Sequence, residues 1–259
     1  MRSVVESHPF LWKVGNVAAM NLSFLLPHDK SYKAIRYFIK NDKDGLFLDI
    51  GANNGISILS FRSQCKHYKI LSLEPNKLLE PDLALRKASD PLVDFQMVGA
   101  GAAEAFVTFY TPVYKGIVLH AATSADESQV RHVVEKFFGR SIANRIQIRP
   151  FQAKVISVDS LNLRPDIIKI DAEGFDLDVL LGAQKTLALA RPFVMVEVEW
   201  QNKEKMFNFF DNIKYSMYMF HVDKSIFEYL DLTKATPDQL DERNYFAIPR
   251  ERLSGIPVL

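Results

Sequence analysis

Two glycines and a carboxylate share one short segment of the chain, Asp49-Ile50-Gly51-Ala52-Asn53-Asn54-Gly55. It follows an apolar run and precedes a helical pattern, where glycines let the backbone approach a ligand closely at the carboxyl edge of a sheet. A dinucleotide site would need the pattern G-x-G-x-x-G, but Asn53 stands in place of the second glycine. Asp49 would also repel a pyrophosphate. The segment therefore favours a cationic, phosphate-free nucleoside, and Asp49 can in addition bond its own loop amides as a turn carboxylate.

A second carboxylate follows the next apolar run, in the sequence Leu73-Glu74-Pro75-Asn76. A carboxylate at the tip of the second strand is well placed to accept hydrogen bonds from both hydroxyls of a ribose. Glu74 therefore supports an adenosine ligand without choosing between cofactors. The alternative is a solvated loop residue that caps the next helix.

A third charged group is Lys169-Ile170-Asp171-Ala172-Glu173-Gly174. If the strand continues through Glu173, its period of two points Lys169, Asp171 and Glu173 to one side. Such groups can hydrogen-bond a polar ligand, tune one another's pKa, or bind a divalent cation through oxygen ligands. The alternative is a local ion pair, with Glu173 near a helix N-terminus and Lys169 neutralising the carboxylates. No compact ligand motif accompanies them, so we assign no metal ligands, and a variant of the reaction in which Mg²⁺ lowers the pKa of the acceptor stays open.

Further polar residues follow two later apolar runs. Glu197 and Glu199 would lie at the same sheet edge as Asp171, and His221 ends a run near the carboxyl terminus. A lone histidine in a turn is more often structural than a base. Glu199 and His221 therefore stand behind Asp171 and Glu173 as candidate catalytic groups.

The elements that must position these residues alternate between strand and helix. Apolar runs predict strands at 46–50, 68–73, 95–98, 106–110, 167–170 and 193–198. Helical spacing predicts helices at 30–40, 56–65, 77–87 and 176–189. Alternation of this kind indicates an α/β protein with a mostly parallel sheet and helices on both faces.

Two regions depart from the alternation. Within 111–150, Ser124 and Glu127 form a capping box, an apolar stripe follows at helical spacing, and Gly139 suits a C-cap. This inserted helix either packs on the sheet or also covers a substrate cleft as a lid. Residues 201–259 resemble a terminal antiparallel ribbon, and 1–43 form an N-terminal helical extension. No long linker separates these parts, so we predict one domain over 1–259.

Composition excludes several classes. The 259 residues are 48% hydrophobic and 24% charged, which is typical of a globular chain. A formal charge of +1 offers no excess that would attract nucleic acid or an anionic membrane. Residues 14–26 are shorter than the ~20 residues that span a bilayer. The single Cys65 cannot form an intrachain disulfide. We therefore expect a cytoplasmic protein without a membrane span.

Together these motifs resemble the FkbM family of class I methyltransferases that use S-adenosylmethionine. The segments that carry the resemblance are LDIGANNG (48–55), LEPN (73–76), GAGAAEAFVTFY (99–110), VISVDSL (155–161), DIIKIDAEGFDLDVLLGA (166–183), RPFVMVEVE (191–199) and NYFAIP (244–249). Their order and spacing make the match specific, although no single motif is decisive. Asp176 departs from the glutamate that many relatives carry, and 111–150 looks individual.

The resemblance implies a Rossmann-like methyltransferase fold, with a seven-stranded, mostly parallel sheet whose last strand is antiparallel. It implies S-adenosylmethionine as cofactor and methyl transfer, usually to oxygen. Residues Asp49 to Gly55 would wrap the methionine part, Glu74, with Pro75 and Asn76 beside it, would bind the ribose, and Gly99 to Gly101 would lie near the adenine. Asp171 and Glu173 match the motif that faces the transferred methyl, and V-D-S-L would be a strand.

The acceptor is expected to be a hydroxyl on a small molecule, sugar or glycolipid, and the oligomeric state is open. One alternative is a non-catalytic protein that binds adenosylmethionine, or a partner through the 111–150 helix. The other is a nicotinamide-dependent oxidoreductase, which shares the Glu74 position but needs the missing glycine and tolerates Asp49 poorly.

Overall fold

A central sheet with helices on both faces organises the computed structural model, which describes residues 29–40, 44–115, 117–236 and 244–259. The strands are β1 Leu46–Ile50, β2 Lys69–Leu73, β3 Val93–Gln96, β4 Gly99–Ala100, β5 Ala105–Tyr114, β6 Ile117–Val118, β7 Gln147–Ile156, β8 Ile167–Ile170, β9 Phe193–Glu197, β10 Tyr215–His221, β11 Ile226–Tyr229 and β12 Asn244–Pro249. The helices are α1 Ile56–Gln64, α2 Glu80–Ser89, α3 Glu127–Phe138, α4 Arg140–Ala143, α5 Asp176–Leu181, α6 Gln184–Ala190 and α7 Lys203–Asn212.

The main sheet has the order β3-β2-β1-β8-β9-β12-β10-β11. The first five strands run parallel, and β12 runs antiparallel to both of its neighbours, β9 and β10. Seven strands thus match the predicted sheet with its antiparallel last strand, and β11 adds an eighth at the edge. The residues predicted as a terminal antiparallel ribbon form the contiguous antiparallel strands β11, β10 and β12, and β12 also pairs with β9, which joins them to the main sheet.

Strand periodicity divides the core between the two faces of this sheet. Phe47 and Ile167 pack in one apolar cluster, whereas Leu48 and Ile168 pack in the other. Because alternate side chains of a strand point to opposite faces, Asp49 lies on the same face as Phe47. The central strands β1 and β8 are buried on both faces, which explains their nearly continuous apolar sequences.

A second sheet, in the order β4-β7-β5-β6, stands beside the first. β5 and β7 pair over nine positions, from Ala105–Val155 to Val113–Gln147. The prediction ended the first of these strands at residue 110 and placed none at 147–154. The two strands therefore form a long hairpin whose connection carries β6, α3 and α4. The segment Val158–Leu161, expected as a strand, is a 3-10 helix.

The inserted helix α3 forms where the sequence predicts a helix. Its N-cap is Asp126, whose carboxylate accepts a hydrogen bond from the Ser128 amide, rather than Ser124 as the capping box suggested. Gly139 is the C-cap with a positive φ of 82°. Val130 and Val134 are fully buried, so the apolar stripe packs against the body of the protein.

Near the amino terminus, Lys30–Tyr37 forms a 3-10 helix capped by Asp29, where a helix over 30–40 was predicted. The remainder of the predicted N-terminal extension, residues 1–28 and 41–43, lies outside the described residues. Among the residues that the structure describes, no helix combines the length and the apolar character needed to cross a bilayer.

Candidate functional site

A cleft opens at the carboxyl ends of β1, β2 and β8, where open α/β sheets bind their ligands. Its empty space, counted together with the open mouth, is about 700 Å³. Of the residues predicted to bind a cofactor or substrate, the cleft is lined by Gly51, Asn53, Glu74, Pro75, Asn76, Gly99, Asp171 and Glu173. The structure thus brings the three sequence motifs together.

Glu74 is held at the tip of β2 by two loop amides. Its Oε2 accepts a hydrogen bond from the Asn53 amide at 2.8 Å, and its Oε1 accepts one from the Asn76 amide at 2.9 Å. Burial raises the pKa of Glu74 to about 6, although these two amides oppose the rise. A carboxylate can accept about four hydrogen bonds, so each oxygen keeps a lone pair for a ligand hydroxyl.

Asp49 does not face the cleft, contrary to the expectation that it would meet a cationic ligand. Its side chain is fully buried on the α1 face of the sheet, where Oδ2 accepts hydrogen bonds from Ser57 at 2.7 Å and Ser72 at 3.1 Å. The nearest cation is Lys169, 3.8 Å from Oδ1. Asp49 therefore stabilises the elements beneath the cleft and does not contact a ligand in it.

Lys169 joins the two strands that carry the acidic motifs. Its Nζ lies 3.0 Å from Asp171 Oδ2 and donates a hydrogen bond to the Gly51 carbonyl at 2.8 Å. Burial disfavours the ammonium charge, but the carboxylates of Asp171 and Asp49 outweigh it and raise the pKa of Lys169 above its ordinary value. The sequence left open that Lys169 neutralises nearby carboxylates. It neutralises Asp49 because these two residues are register partners in the adjacent strands β1 and β8.

Position 51 must be glycine because the backbone of Asp171 packs closely against it, whether or not a ligand is bound. Its φ is +75°, and a Cβ there would lie 1.8 Å from the Asp171 carbonyl oxygen. Other predicted loop residues support the turn or helix α1 and do not line the cleft. These are Ala52, Asn54 and Gly55. A Cβ at position 55 would collide with the side chain of Arg86, which packs against Gly55.

More carboxylates surround the opposite end of the cleft. Strand β8 ends at Ile170, so Glu173 lies in a turn with φ 48° rather than on an extended strand as expected. Enclosure by protein and the charges of Asp171 and Glu197 raise the pKa of Glu173. Because solvent reaches the Glu173 side chain, water screens part of this effect. Enclosure also raises the pKa of Glu197, with Asp171 adding to it.

The Asp176 carboxylate closes the turn that carries Glu173. It is buried and accepts a hydrogen bond from the Ala172 amide at 3.0 Å. Burial raises its pKa to about 6, while that amide lowers it. Asp176 thus shapes the loop from inside.

Glu199 contacts the inserted helix α3. Its Oε1 lies 3.4 Å from the Gln129 side-chain nitrogen, and its Oε2 accepts hydrogen bonds from Gln201 and Asn202 at 3.0 Å each. Gln129 also accepts a hydrogen bond from Ser124 at 2.8 Å. The insert therefore meets the acidic edge through amide side chains, beside Glu173, and Glu199 is not among the cleft-lining residues.

Two predicted site residues lie elsewhere. His221 is three strand positions from β8, pairs with Glu228 at 2.5 Å, and lines a separate depression with Asp29 and Asn244. Gly101 packs against Val155, and Gly182 lies close to the carbonyl group of Gly101. Strand order in the sheet, which periodicity does not reveal, separates His221 from the cleft.

The sequence analysis missed several cleft residues on the long hairpin and its insert. They are Phe109, His120, Thr123 and Val155, together with Leu79 and Phe175. A hairpin that folds back over the sheet has no local sequence signal for which side chains it will present. His120 was accordingly not among the predicted site residues, although it lines the cleft.

These residues fit a nucleoside. Glu74 offers free lone pairs for hydroxyls, Asn76 Nδ2 is buried without a hydrogen-bond partner among the described residues, and Pro75 and Phe109 supply apolar walls. By contrast, no group of His, Cys, Asp and Glu side chains in the described parts of the chain has the arrangement of a metal site.

Comparisons with known proteins agree with this geometry. A family model described as the Methyltransferase FkbM domain matches residues 49–227. The chain resembles the solved structure of methyltransferase FkbM from Methylobacillus flagellatus KT with 16% identity and a TM-score of 0.50, covering 90% of this chain and 59% of that one. It thus spans somewhat more than half of that protein. This likeness shows a shared Rossmann-like class I fold.

Two other solved structures are more distant. One is precorrin-6y C5,15-methyltransferase from Geobacter metallireducens GS-15, at 11% identity and TM-score 0.42, covering 86% of this chain and 88% of that one. The other is a putative rRNA-methylase from Clostridium thermocellum, at 9% identity and TM-score 0.42, covering 86% and 93%. None of the curated proteins matches the chain.

Proposed function

We propose that this chain, which belongs to the FkbM methyltransferase family, transfers a methyl group from S-adenosylmethionine to a hydroxyl group of a small molecule or carbohydrate. The observation that carries the proposal is the position of Glu74. It is a buried carboxylate at the tip of β2, held by the amides of Asn53 and Asn76 with lone pairs directed to the cleft. This arrangement suits the two hydroxyls of a ribose.

The cofactor would lie across the carboxyl ends of β2, β1 and β8. Glu74 would hold the ribose, Pro75 and Gly99 would border the adenine, and Gly51 and Asp171 would border the methionine part. When bound, S-adenosylmethionine supplies a methyl group activated by its sulfonium. The acidic edge suits that positive charge, although Asp49 acts only through the loop that it supports.

The acceptor hydroxyl would be oriented and deprotonated by the carboxylates beyond Gly51. Asp171 Oδ2 is already engaged by the Lys169 ammonium at 3.0 Å, which fixes the position of this carboxylate at the cleft. Glu173 has a raised pKa and lies at the cleft mouth, which suits a general base better. We therefore assign orientation to Asp171 and proton abstraction to Glu173, and we leave His221 out because it lies outside the cleft.

Alignment of the hydroxyl with the methyl group would supply much of the rate. Holding two reactants in productive geometry lowers a barrier by about 7–11 kcal/mol, and a positioned base adds roughly 10²–10⁴-fold. Helix α3 reaches the acidic edge through Gln129 and Glu199. We propose that it covers the acceptor side of the cleft as a lid.

The free, buried Cys65 is compatible with the cytoplasm, which we propose as the location, since thiols persist in reducing compartments. The near-neutral charge of the chain supports an acceptor other than nucleic acid.

Titration of the purified protein with S-adenosylhomocysteine and with NADH tests the cofactor. We expect micromolar or tighter binding of the former alone, and mass spectrometry of the protein to detect any co-purified cofactor. Binding of NADH alone would instead support an oxidoreductase. Binding of S-adenosylhomocysteine without turnover on any hydroxyl compound would favour a non-catalytic protein.

A further inference from the structure

Two polar atoms in the cleft wall have no hydrogen-bond partner among the described residues, Asn76 Nδ2 and His120 Nδ1. Asn76 is 2% exposed, and its Oδ1 accepts a hydrogen bond from the Leu78 amide at 3.1 Å. This bond fixes the orientation of the amide and leaves the NH₂ group without a partner. A buried donor of this kind is costly unless a ligand completes it.

His120 comes from a different part of the chain. It begins the 3-10 turn His120–Ala122 in the insert, and that turn is held by backbone hydrogen bonds from Leu119 to Pro112 and from Thr123 to His120. The Asp82 carboxylate of α2 interacts with this ring and opposes the effect of burial on its pKa. Burial lowers the pKa of His120, so the ring is neutral near pH 7.

Asn76 lies at the β2 end of the cleft, and the interaction of the His120 ring with Asp82 of α2, the helix that follows Asn76, places the ring at the same end. Asn76 follows Glu74 directly and leads into α2, while Asp171 and Glu173 follow β8, two strand positions away. Adjacent strands are ~4.8 Å apart, so the two ends differ by roughly 10 Å. The unpartnered atoms therefore face the nucleoside end, beyond the ribose position, rather than the reacting end.

We propose that Asn76 and His120 together recognise the base of the bound nucleoside as adenine, an inference that rests on the proposed function. The Asn76 NH₂ donates to a ring nitrogen, and Nδ1 of the neutral His120 ring accepts from the exocyclic amino group. His120 is supplied by the insert, so this part of the chain contributes to cofactor selection besides covering the site.

The two residues differ in how strictly they discriminate. In hypoxanthine the amino group is replaced by a carbonyl oxygen and the adjacent ring nitrogen carries a proton. A neutral histidine can exchange tautomers and donate to that carbonyl. Asn76 cannot reverse its amide without losing the Leu78 hydrogen bond, so its NH₂ would face an N–H group. Sites built to bond one group reject analogues that leave it unpaired.

The test compares S-adenosylhomocysteine with S-inosylhomocysteine by isothermal titration calorimetry. The variants are Asn76→Asp, which keeps the Oδ1 acceptor and removes the donor, and His120→Phe, which keeps a ring. His132→Ala, on the exposed side of α3, is the control. We expect the wild type and the control to prefer S-adenosylhomocysteine at least tenfold. Asn76→Asp should lower that preference at least threefold, whereas His120→Phe should weaken both ligands at least threefold with little change in the preference.

For Asn76→Asp the ratio of the two affinities is the decisive quantity, because partial misfolding of a variant weakens both ligands together. For His120→Phe, an unchanged circular dichroism spectrum separates the lost hydrogen bond from misfolding. If the wild type binds S-adenosylhomocysteine and the variants keep its affinity and preference, the base-recognition proposal is wrong while the proposed function stands. If the wild type binds neither compound, both proposals fail.

Discussion

The ammonium of Lys169 lies 3.0 Å from the carboxylate of Asp171, and this buried ion pair spans from the core to the cleft. The Lys169 side chain is 5% exposed and that of Asp171 32%. Behind the pair, Asp49 is fully buried 3.8 Å from the same ammonium. One cation thus compensates a structural carboxylate and a cleft carboxylate, and it also binds the carbonyl of Gly51.

Replacing Lys169 with Met should destabilise the protein strongly. Asp49 would keep a buried charge without its cation, and breaking a buried pair in this way costs about 3–5 kcal/mol. The control is Lys87→Met, which removes the exposed pair with Asp94 and should cost ~0–1 kcal/mol. Urea unfolding measures both free energies. Equal values would show that Lys169 contributes no more than a surface lysine.

Gly51→Ala should disrupt the loop. A Cβ at this position would meet the Asp171 carbonyl at 1.8 Å, so backbone must move. Gly255→Ala is matched to it, because Gly255 has a φ of +83° and nothing within 4 Å. That control should lose only the ~1–2 kcal/mol of a left-handed residue. Thermal unfolding and S-adenosylhomocysteine titration compare the two, and similar behaviour would contradict the close approach.

Glu74→Gln should weaken S-adenosylhomocysteine binding by about 10–100-fold, since hydrogen bonds to a charged group contribute roughly 1.5–3 kcal/mol. In the wild type the pKa of Glu74 is raised to about 6. Hydroxyl groups bind the ionised form, so affinity should fall as pH decreases below 6, by up to about tenfold per unit. Calorimetry from pH 5 to 8 should show this slope in the wild type and a flatter one in the variant.

Glu80→Gln is the control for that measurement, because Glu80 is exposed at the start of α2. It should keep both the affinity and the pH dependence of the wild type. If Glu74→Gln keeps the wild-type dependence of S-adenosylhomocysteine affinity on pH, a carboxylate other than Glu74 causes that dependence.

Asp171→Asn should reduce turnover by about 10–100-fold, because losing a group that orients the acceptor misplaces it, and a misplacement of ~1 Å can cost roughly 10²-fold. The fold should survive, because Asn keeps the shape of the side chain and Lys169 retains Asp49. Asp178→Asn, exposed on α5, serves as the comparison. Methyl transfer is measured with the first acceptor found to react, and circular dichroism verifies folding. Wild-type turnover in Asp171→Asn would remove Asp171 from the mechanism.

Glu173→Gln should abolish most of the base contribution, about 10²–10⁴-fold in kcat. Because the pKa of Glu173 is raised, the base is protonated at low pH and kcat should increase as pH rises beyond the ordinary range of a glutamate. The variant should lose that increase. A pH profile of kcat that is the same in both proteins would transfer the role to another group, with Glu197 as the next to test.

Much of the fold could be predicted from the sequence. Buried parallel strands give continuous apolar runs, such as 46–50 and 167–170, because both of their faces pack against other residues. The glycine loop, the Glu74 tip and the Asp171 turn follow such runs directly. Since the carboxyl ends of parallel strands share one edge, their convergence on one cleft was predictable as well.

What the sequence determined by itself was therefore local: strand ends, helix α3, and the charged residues at the sheet edge. The tertiary structure alone decided which of those residues line the cleft and which only support it. Strand pairing placed Asp49 beside Lys169 beneath the cleft, strand order removed His221 from the cleft, and the segment between β5 and β7 brought His120 into the same cleft as Asn76. Each of these depends on contacts between residues far apart in the chain, which periodicity along a single segment does not record.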